Sequence, residues 1–525
     1  PYRHQIRIWE TIKKGKYPIF LRAPTGSGKT EAVIAPFLSQ FIENKFSIAP
    51  RLIYVLPMRV LINSIANRIR KYTQNMLGNI SVGVQHGESP NAPFFMDDIV
   101  VTTLDQFIYG YVRVSNQVGH HLDIPAGAIA SSLIVFDEAH MYRDGFTFSI
   151  MRAMFEILYK ANIPFVVMTA TMPKSLEESL FENIKINNKI VSTGFDLNNQ
   201  VDISIEKTPI YKDNEVNIPD SILDKIKDKK TLIVLNQVKR AQEVYKEIKE
   251  RLDFKEGKQI VLLHSRFTRK DRKEHEDISL KILPHKKDGR IIIPEGTGIV
   301  VSTQVLEAGV DFSAELLLTE LAPADALVQR AGRCARYEDE KGEMVIFPIE
   351  ENKGHLPYEK LHLGKTFEWL KENKNFNIRN FSEVSKFVDI LDYKADDYAA
   401  RDSLIDLYES VLYADLRPQN IQVREGKSVN LLVVDFAIGK GKKKAEKIRD
   451  AVKKTKYKDN SISVDIKTAW SIFKKGIPLF EWDWGKEKSE KREKEEAIVP
   501  FKTYILENSN YDSEIGIKND ESFII

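Results

Sequence analysis

The 525 residues predict an α/β protein made of two successive parallel-sheet domains and a smaller, mostly helical C-terminal domain. Three observations carry this expectation. Short, wholly apolar runs that read as buried strands (Ile19 to Leu21, Leu52 to Leu56, Ile99 to Val101, Leu133 to Phe136, Phe165 to Met168) are separated by stretches of helical periodicity. After a polar stretch from Phe195 to Asp220, with Pro209, Pro219 and one strand pattern at Val201 to Ile205, the alternation resumes through Thr231 to Leu235, Ile260 to Leu263, Gly298 to Val301 and Leu316 to Thr319. Beyond Glu350 the pattern turns mostly helical, from Tyr358 to Leu370 and from Ser382 to Leu412, with one buried strand at Val429 to Phe436. The length exceeds what one hydrophobic core organises, and the domains are set at 1–205, 206–350 and 351–525.

Composition narrows the chemistry. Apolar content of 42% with 29% charged residues is that of a globular protein. No apolar run approaches the roughly 18 residues needed to cross a bilayer and no charged-then-apolar leader opens the chain, so a cytoplasmic location is expected. The chain starts at Pro1, which leaves open whether residues precede it. Cys334 is the only cysteine, which excludes internal disulfides, Cys-type zinc sites and iron–sulfur clusters; any metal must be held by oxygen or histidine. A net charge of +3 means that a basic track for nucleic acid would have to be local. The abundance of Lys and Glu leans towards a thermophilic source.

The most informative stretch is Ala23-Pro24-Thr25-Gly26-Ser27-Gly28-Lys29-Thr30, directly after the first apolar strand. A strand ends, a Gly-rich turn reverses the chain and a helix begins near Lys29, so backbone N–H groups and the positive end of the helix dipole converge on an anion. Gly26 and Gly28 let the main chain approach a phosphate, Lys29 reaches the β and γ oxygens, and the Thr30 hydroxyl is placed to ligate Mg²⁺. Ala23 stands where the pattern has its first Gly; the Gly-x-Gly-Lys-Thr tail is intact. Upstream, Gln5 sits in an amphipathic stretch from Ile6 to Ile12 and carries the donor and acceptor that reading an adenine edge requires.

Later strand ends add acids and hydroxyls. Leu133 to Phe136 delivers Asp137-Glu138-Ala139-His140, an acid pair suited to a magnesium nucleotide: Asp137 for the metal, Glu138 to polarise the attacking water. Phe165 to Met168 ends in Thr169-Ala170-Thr171, whose hydroxyls can bond the acid pair and sense the γ-phosphate. Strand ends at Pro57-Met58-Arg59 and Thr102-Thr103 put Arg and hydroxyl donors where parallel sheets bind ligands. In the second domain, helical spacing through Leu327 to Arg336 places Gln329, Arg333 and Arg336 on one face, and two permanently charged guanidinium groups suit a transferring phosphoryl group. The basic run from Arg269 to Lys287 reads as a solvated insertion, with a path along nucleic acid as the alternative.

These residues carry a resemblance. Ala23 to Thr30, Asp137 to His140 and Thr169 to Thr171 resemble motifs I, II and III of the superfamily two helicases, Gln5 falls at that family's adenine-reading Gln, and Pro57 to Arg59 and Thr102-Thr103 resemble motifs Ia and Ib. Ser302 to Phe312 and Gln329 to Arg336 resemble motifs V and VI. The wording of Leu263-His264-Ser265-Arg266-Phe267, of Ser302 to Phe312, and of Ala322-Pro323-Ala324-Asp325 leading into Gln329 to Arg336 is most similar to the CRISPR-associated helicases of type I interference systems.

The resemblance covers about the first two thirds and implies two tandem RecA-like domains, ATP and Mg²⁺ as cofactors, and 3′ to 5′ travel on single-stranded DNA opened by an RNA-guided surveillance complex. It implies a nucleotide site of Gln5, Thr25, Gly26, Ser27, Gly28, Lys29, Thr30, Gly309 and Asp311, with metal held at Thr30 and Asp137. Catalysis falls to Asp137, Glu138, Gln329, Arg333 and Arg336; coupling to Thr169 and Thr171; strand contacts to Arg59, Thr103, Arg266 and Thr303. Many relatives carry a fused HD nuclease domain, whose metal site needs a His-Asp dipeptide. None occurs here, and His120-His121 with Asp123 reads as a loop, so a separate nuclease partner is expected.

The last third carries no catalytic constellation. The charge-dense stretches Lys440 to Lys458 and Lys486 to Glu496 read as solvated faces, and Trp470, Phe473, Phe480, Trp482 and Trp484 as core. An RNA helicase, a duplex translocase and an ATP-gated clamp would share the motifs above.

Overall fold

The computed structural model describes residues 2–24, 26–74, 80–87, 89–192, 199–287, 290–307, 311–350, 354–413, 421–424, 428–436, 443–491, 498–500 and 502–518. Two compact units divide the chain: Pro1–Asp196 with Asn380–Glu425, and Leu197–Arg379 with Gly426–Ile525.

In the first unit the apolar runs form strands β1 (Ile19–Arg22), β2 (Arg51–Leu56), β3 (Val82–His86), β4 (Ser89–Pro90), β5 (Ile99–Thr103), β6 (Ser132–Phe136), β7 (Phe165–Thr169) and β8 (Asn188–Val191). They make one sheet in the order β4-β3-β5-β2-β6-β7-β1-β8, parallel throughout except for the β3–β4 pair. Its inner strands are buried on both faces, which is why they read as unbroken apolar runs rather than alternating ones. The order brings the ends of β1, β7 and β6 side by side, and these ends carry the Gly-rich turn, the Thr169 hydroxyl and the acid pair.

Residues beyond 350, which the sequence reading groups into one C-terminal domain, do not stay together. Ala400, Leu407, Ile421 and Val423 lie in the same apolar core as Phe136, Phe155 and Phe165, so 380–425 completes the first unit. The approach is close enough that Gly145 could not carry a Cβ at ease: one would stand 3.0 Å from Asp396 Cβ. No sequence period signals this return, because its contacts are with residues more than two hundred positions away.

The second unit begins earlier than the sequence boundary at 205. Strand β9 (Gln200–Ile205) pairs in parallel with the last strand of the second sheet, so it belongs here. A short hairpin, β10 (Tyr211–Lys212) and β11 (Glu215–Val216), precedes β12 (Lys230–Val234), β13 (Ile260–Leu263), the hairpin β14 (His285–Lys287) and β15 (Arg290–Ile292), β16 (Gly298–Ser302), β17 (Leu316–Glu320) and β18 (Lys341–Phe347). The sheet order is β13-β16-β12-β17-β18-β9, all parallel. The basic run is helix Arg269–Ile282 followed by the β14–β15 hairpin.

A third, mixed sheet shares the second unit's core and adds strands where the sequence showed one: β19 (Ser428–Val434), β20 (Ser461–Asp465), β21 (Phe480–Asp483), β22 (Lys488–Lys491) and β23 (Thr503–Glu507), ordered β20-β19-β23-β21-β22. Phe480 and Trp482 are core, as expected, whereas Trp484 is half exposed. Helix Lys443–Lys454 carries the basic stretch. A last hairpin, β24 (Tyr511–Asp512) and β25 (Gly516–Ile517), folds back onto the residues after β13.

Candidate functional site

In the first unit, helix Lys29–Ile42 starts at the cradle, with Gly28 as its N-cap at φ +75°. Gly26 has φ +83°, and both positions favour glycine for that reason. Thr25 lies outside the described residues. Lys29 is buried, and its Nζ donates to the carbonyls of Ala23 and Pro24 at 3.2 and 3.3 Å. Gln5 does not point away from the turn: its Nε2 donates to Gly28 O at 3.1 Å, and a Cβ on Gly28 would collide with it. Ser27 is fixed through its own carbonyl, which accepts from His4 Nε2 at 3.0 Å, while Ser192 Oγ stands 3.1 Å from the other ring nitrogen. Burial lowers the His4 pKa, consistent with a neutral ring that donates on one side and accepts on the other.

The acid pair stands beside this turn. Asp137 is buried; its Oδ2 accepts from Tyr54 Oη at 2.6 Å and its Oδ1 from the Glu138 N–H at 2.8 Å. Tyr54 Oη also lies 3.3 Å from Thr30 Oγ1, so the two expected metal-holding groups meet through one phenol. Burial, and secondarily the Glu138 charge, push the Asp137 carboxyl up to about 6, with Lys29 pulling the other way. Glu138 occupies the left-handed region at φ +53°, rare for a residue with a Cβ and the kind of backbone outlier that recurs at active sites. Its Oε2 stands 3.4 Å from His140 Nδ1, which in turn lies 3.2 Å from Thr169 Oγ1. Thr171 is buried, and its Oγ1 has no hydrogen-bond partner among the described residues.

These groups fit a magnesium nucleotide. The donor set is hard oxygen, a hydroxyl and a carboxylate, and a buried acid pushed above its ordinary range is one that a cation would return to its charged form. Among the described residues no three His, Cys, Asp or Glu side chains gather to hold a metal.

Of the four expected strand contacts, Arg59 is exposed at the start of helix Arg59–Thr73. Thr103 is buried and caps helix Leu104–Tyr111, accepting from Gln106 N. In the second unit, Thr303 and Arg266 are likewise buried, and burial lowers Arg266 to about 10. Only Thr103 has its hydroxyl placed in a local cap, whereas Arg266 keeps a buried Nη1 with no hydrogen-bond partner among the described residues.

The second unit corrects one expectation. Helix Ala324–Ala331 stops before Arg333, so Gln329, Arg333 and Arg336 do not share a helical face. Gly332 N–H donates to Val328 O, and the chain then leaves the helix to pair with Ala314, through Ala314 N to Arg333 O at 2.8 Å and Ala335 N to Ala314 O at 2.9 Å. Arg333 instead lies along the segment after β16, its Nε and Nη2 donating to Leu306 O and Glu307 O at 3.1 and 3.2 Å. Arg336 pairs with Asp311 at 2.6 Å and donates to Gly332 O. Gln329 is half-buried, and Gly309 lies outside the described residues.

Sequence reasoning missed His4, Tyr54 and Arg424. A tyrosine in a strand otherwise buried on both faces needs a partner for its hydroxyl, which is the signal Tyr54 offered. Arg424 had none: it donates to Pro57 O and stands 3.3 Å from Asp105, joining the two strand ends expected to face a nucleic-acid strand.

Two RecA-like sheet units, one ending in a Gly-x-Gly-Lys-Thr turn beside Asp-Glu-Ala-His and the other carrying the paired arginines, are the build of a superfamily two helicase; the DEAD/DEAH box helicase family matches residues 2–179. The C-terminal family of the CRISPR-associated nuclease/helicase Cas3 matches residues 227–339. Together these matches support a CRISPR-associated helicase. The chain is 31% identical to the CRISPR-associated helicase Cas3 of Thermoproteus tenax over 386 residues, 70% of this chain and 62% of that protein. It is 25% identical to a CRISPR-associated nuclease/helicase Cas3 of Streptococcus thermophilus over 417 residues, 66% of this chain and 43% of that one. The chain thus spans about two fifths to three fifths of these curated relatives. The crystal structure of T. fusca Cas3 with ADP shares the fold at a TM-score of 0.67 and 19% identity, over 90% of this chain and 64% of that one.

Proposed function

We propose that the chain is an ATP-dependent single-stranded DNA translocase and helicase that moves 3′ to 5′ and unwinds target DNA in type I CRISPR interference. The observation that carries this reading is the cluster of Lys29, Thr30, Tyr54, Asp137 and Glu138 at the ends of neighbouring strands, in a chain that also carries Arg333 and Arg336. Lys29 and the main-chain N–H groups of the Gly-rich turn bind the β- and γ-phosphates. Thr30 and Asp137 would hold Mg²⁺, which when bound offsets charge on the phosphate oxygens. Glu138 takes the proton of the attacking water, with His140 and Thr169 fixing its carboxylate. Arg333 and Arg336 neutralise charge on the transferring phosphoryl group, and turnover drives travel along the strand. Arg59 and the strand ends around Thr103, Arg266 and Thr303 grip the phosphate backbone. The partners are an RNA-guided surveillance complex and a separate HD nuclease.

The test is ATP turnover with single-stranded DNA, single-stranded RNA or duplex, beside strand displacement from substrates with a 3′ or a 5′ overhang. Stimulation by single-stranded DNA and displacement from the 3′ overhang are expected. Stimulation by RNA alone would make it an RNA helicase, movement on duplex without displacement a translocase, and no stimulation by any strand a clamp.

A further inference from the structure

Arg330 is the largest fully buried side chain in the protein's described residues, at 1% exposure, yet it carries a charge. All three guanidinium nitrogens are used. Nε donates to Glu307 Oε1 at 3.0 Å, Nη1 to Thr319 Oγ1 and Glu320 O at 2.8 and 3.1 Å, and Nη2 to Asn236 Oδ1 and Tyr358 Oη, each at 3.0 Å. One side chain therefore ties together the ends of three neighbouring strands, β12, β16 and β17. Glu320 receives the Asn236 N–H at 2.7 Å and Arg240 at 2.6 Å, so the cluster closes with its acids satisfied as well.

Such a buried ionic cluster is a poor way to gain stability, because apolar side chains of similar volume would do as well or better. What it fixes is geometry. The Glu307 that Arg330 holds by its carboxylate is the residue whose main-chain carbonyl receives Arg333, three positions along from Arg330. Leu306 O, in the same turn, receives the other Arg333 bond. Arg333 lies past the end of its helix, where the helix itself no longer dictates its direction. Its direction is set by the segment it rests on.

We propose that Arg330 and Glu307 form a positioning pair for Arg333: the buried ion pair locks the segment after β16, and that segment aims the Arg333 guanidinium. This rests on the reading that Arg333 acts on the transferring phosphoryl group. A small displacement of a charged group from its productive place can cost on the order of 100-fold in rate, so a pair that only aims another residue has a large effect available to it.

The experiment is a double-mutant cycle on the intact chain, read as kcat and ATP KM under single-stranded DNA stimulation. Glu307→Gln keeps the shape and an acceptor oxygen but weakens the hold on Arg330. It should lower kcat by about 10-fold with ATP KM within twofold, and cost nothing further in an Arg333→Ala background, since sites acting through one group are not additive. Tyr358→Phe, a gentler change at the same cluster, should lower kcat by about threefold and also lose its effect in that background; it serves where Glu307→Gln does not fold. If Arg333→Ala retains full turnover, the assignment of Arg333 fails and this proposal with it. If Arg333→Ala is impaired while Glu307→Gln and Tyr358→Phe add their full losses to it, the assignment stands and the positioning pair is overturned.

Discussion

The Tyr54 hydroxyl donates a 2.6 Å hydrogen bond to Asp137 Oδ2, and both side chains are buried where β2 runs beside β6. A neutral phenol is thus set against an acid that burial has pushed up to about 6. The folded state carries a cost there.

Asp137→Asn tests that cost. A carboxyl whose folded pKa lies above its unfolded 3.8 is harmless to stability below that value and costs most above about 6. Removing the charge should raise the melting temperature at pH 7.5 in metal-free buffer, by about 1 to 3 kcal/mol of stability, while Mg²⁺-dependent turnover falls to background. A drop in melting temperature would mean the carboxylate is stabilising as it stands.

Lys29→Ala and Glu138→Gln should fail in different ways. The first loses nucleotide binding; the second binds ATP normally and loses turnover by about 100- to 10,000-fold, the range for a general base. Fluorescent-nucleotide titration beside phosphate release separates them, and normal turnover in Glu138→Gln would remove that residue from its role.

His264 gives the second unit a pH dependence. The ring is fully buried, stacked on Phe267 at 4.2 Å, with Nδ1 accepting the Arg266 N–H and Nε2 donating to Ile515 O. Burial, helped by the charge of Arg266, lowers its pKa to about 3 from 6.5. The unfolded ring takes up a proton that the folded one refuses, so this stability is complete above about pH 6.5 and is lost as pH falls towards 3. Between pH 6.5 and 5 the loss is about 2 kcal/mol, read as a falling melting temperature. His264→Gln should flatten that slope; an unchanged slope would place its origin elsewhere.

Gly516→Ala probes the hairpin that holds this histidine. Gly516 has φ +80°, and a Cβ there would stand 2.7 Å from both Arg266 O and His264 Cε1. Destabilisation of about 1 to 3 kcal/mol is expected, with a loss of stimulation by single-stranded DNA larger than any change in basal turnover. Stimulation equal to that of the parent would detach the hairpin from the Arg266 segment.

What the sequence made legible was what is contiguous in it. The Gly-rich turn and Asp137-Glu138 each sit at the end of an apolar run, so strand and chemistry are read together. Gln329, Arg333 and Arg336 were legible as residues but not as geometry: spacing extends a helix through Arg336, whereas Gly332 and the pairing of Cys334 with Ala314 end it. Tyr54, the Arg330 cluster and Arg424 depend on partners far along the chain, and periodicity contains no term for those. The same holds for 380–425, whose apolar positions say that it is buried but not against what.

The return of 380–425 to the first unit has a practical side. Each compact unit is made of two separate stretches of chain, so no single protease cut or stop codon releases either one whole. A truncation after residue 350, harmless on a linear map, would uncover the surface under Ala400, Leu407, Ile421 and Val423 and yield an insoluble fragment rather than a minimal motor.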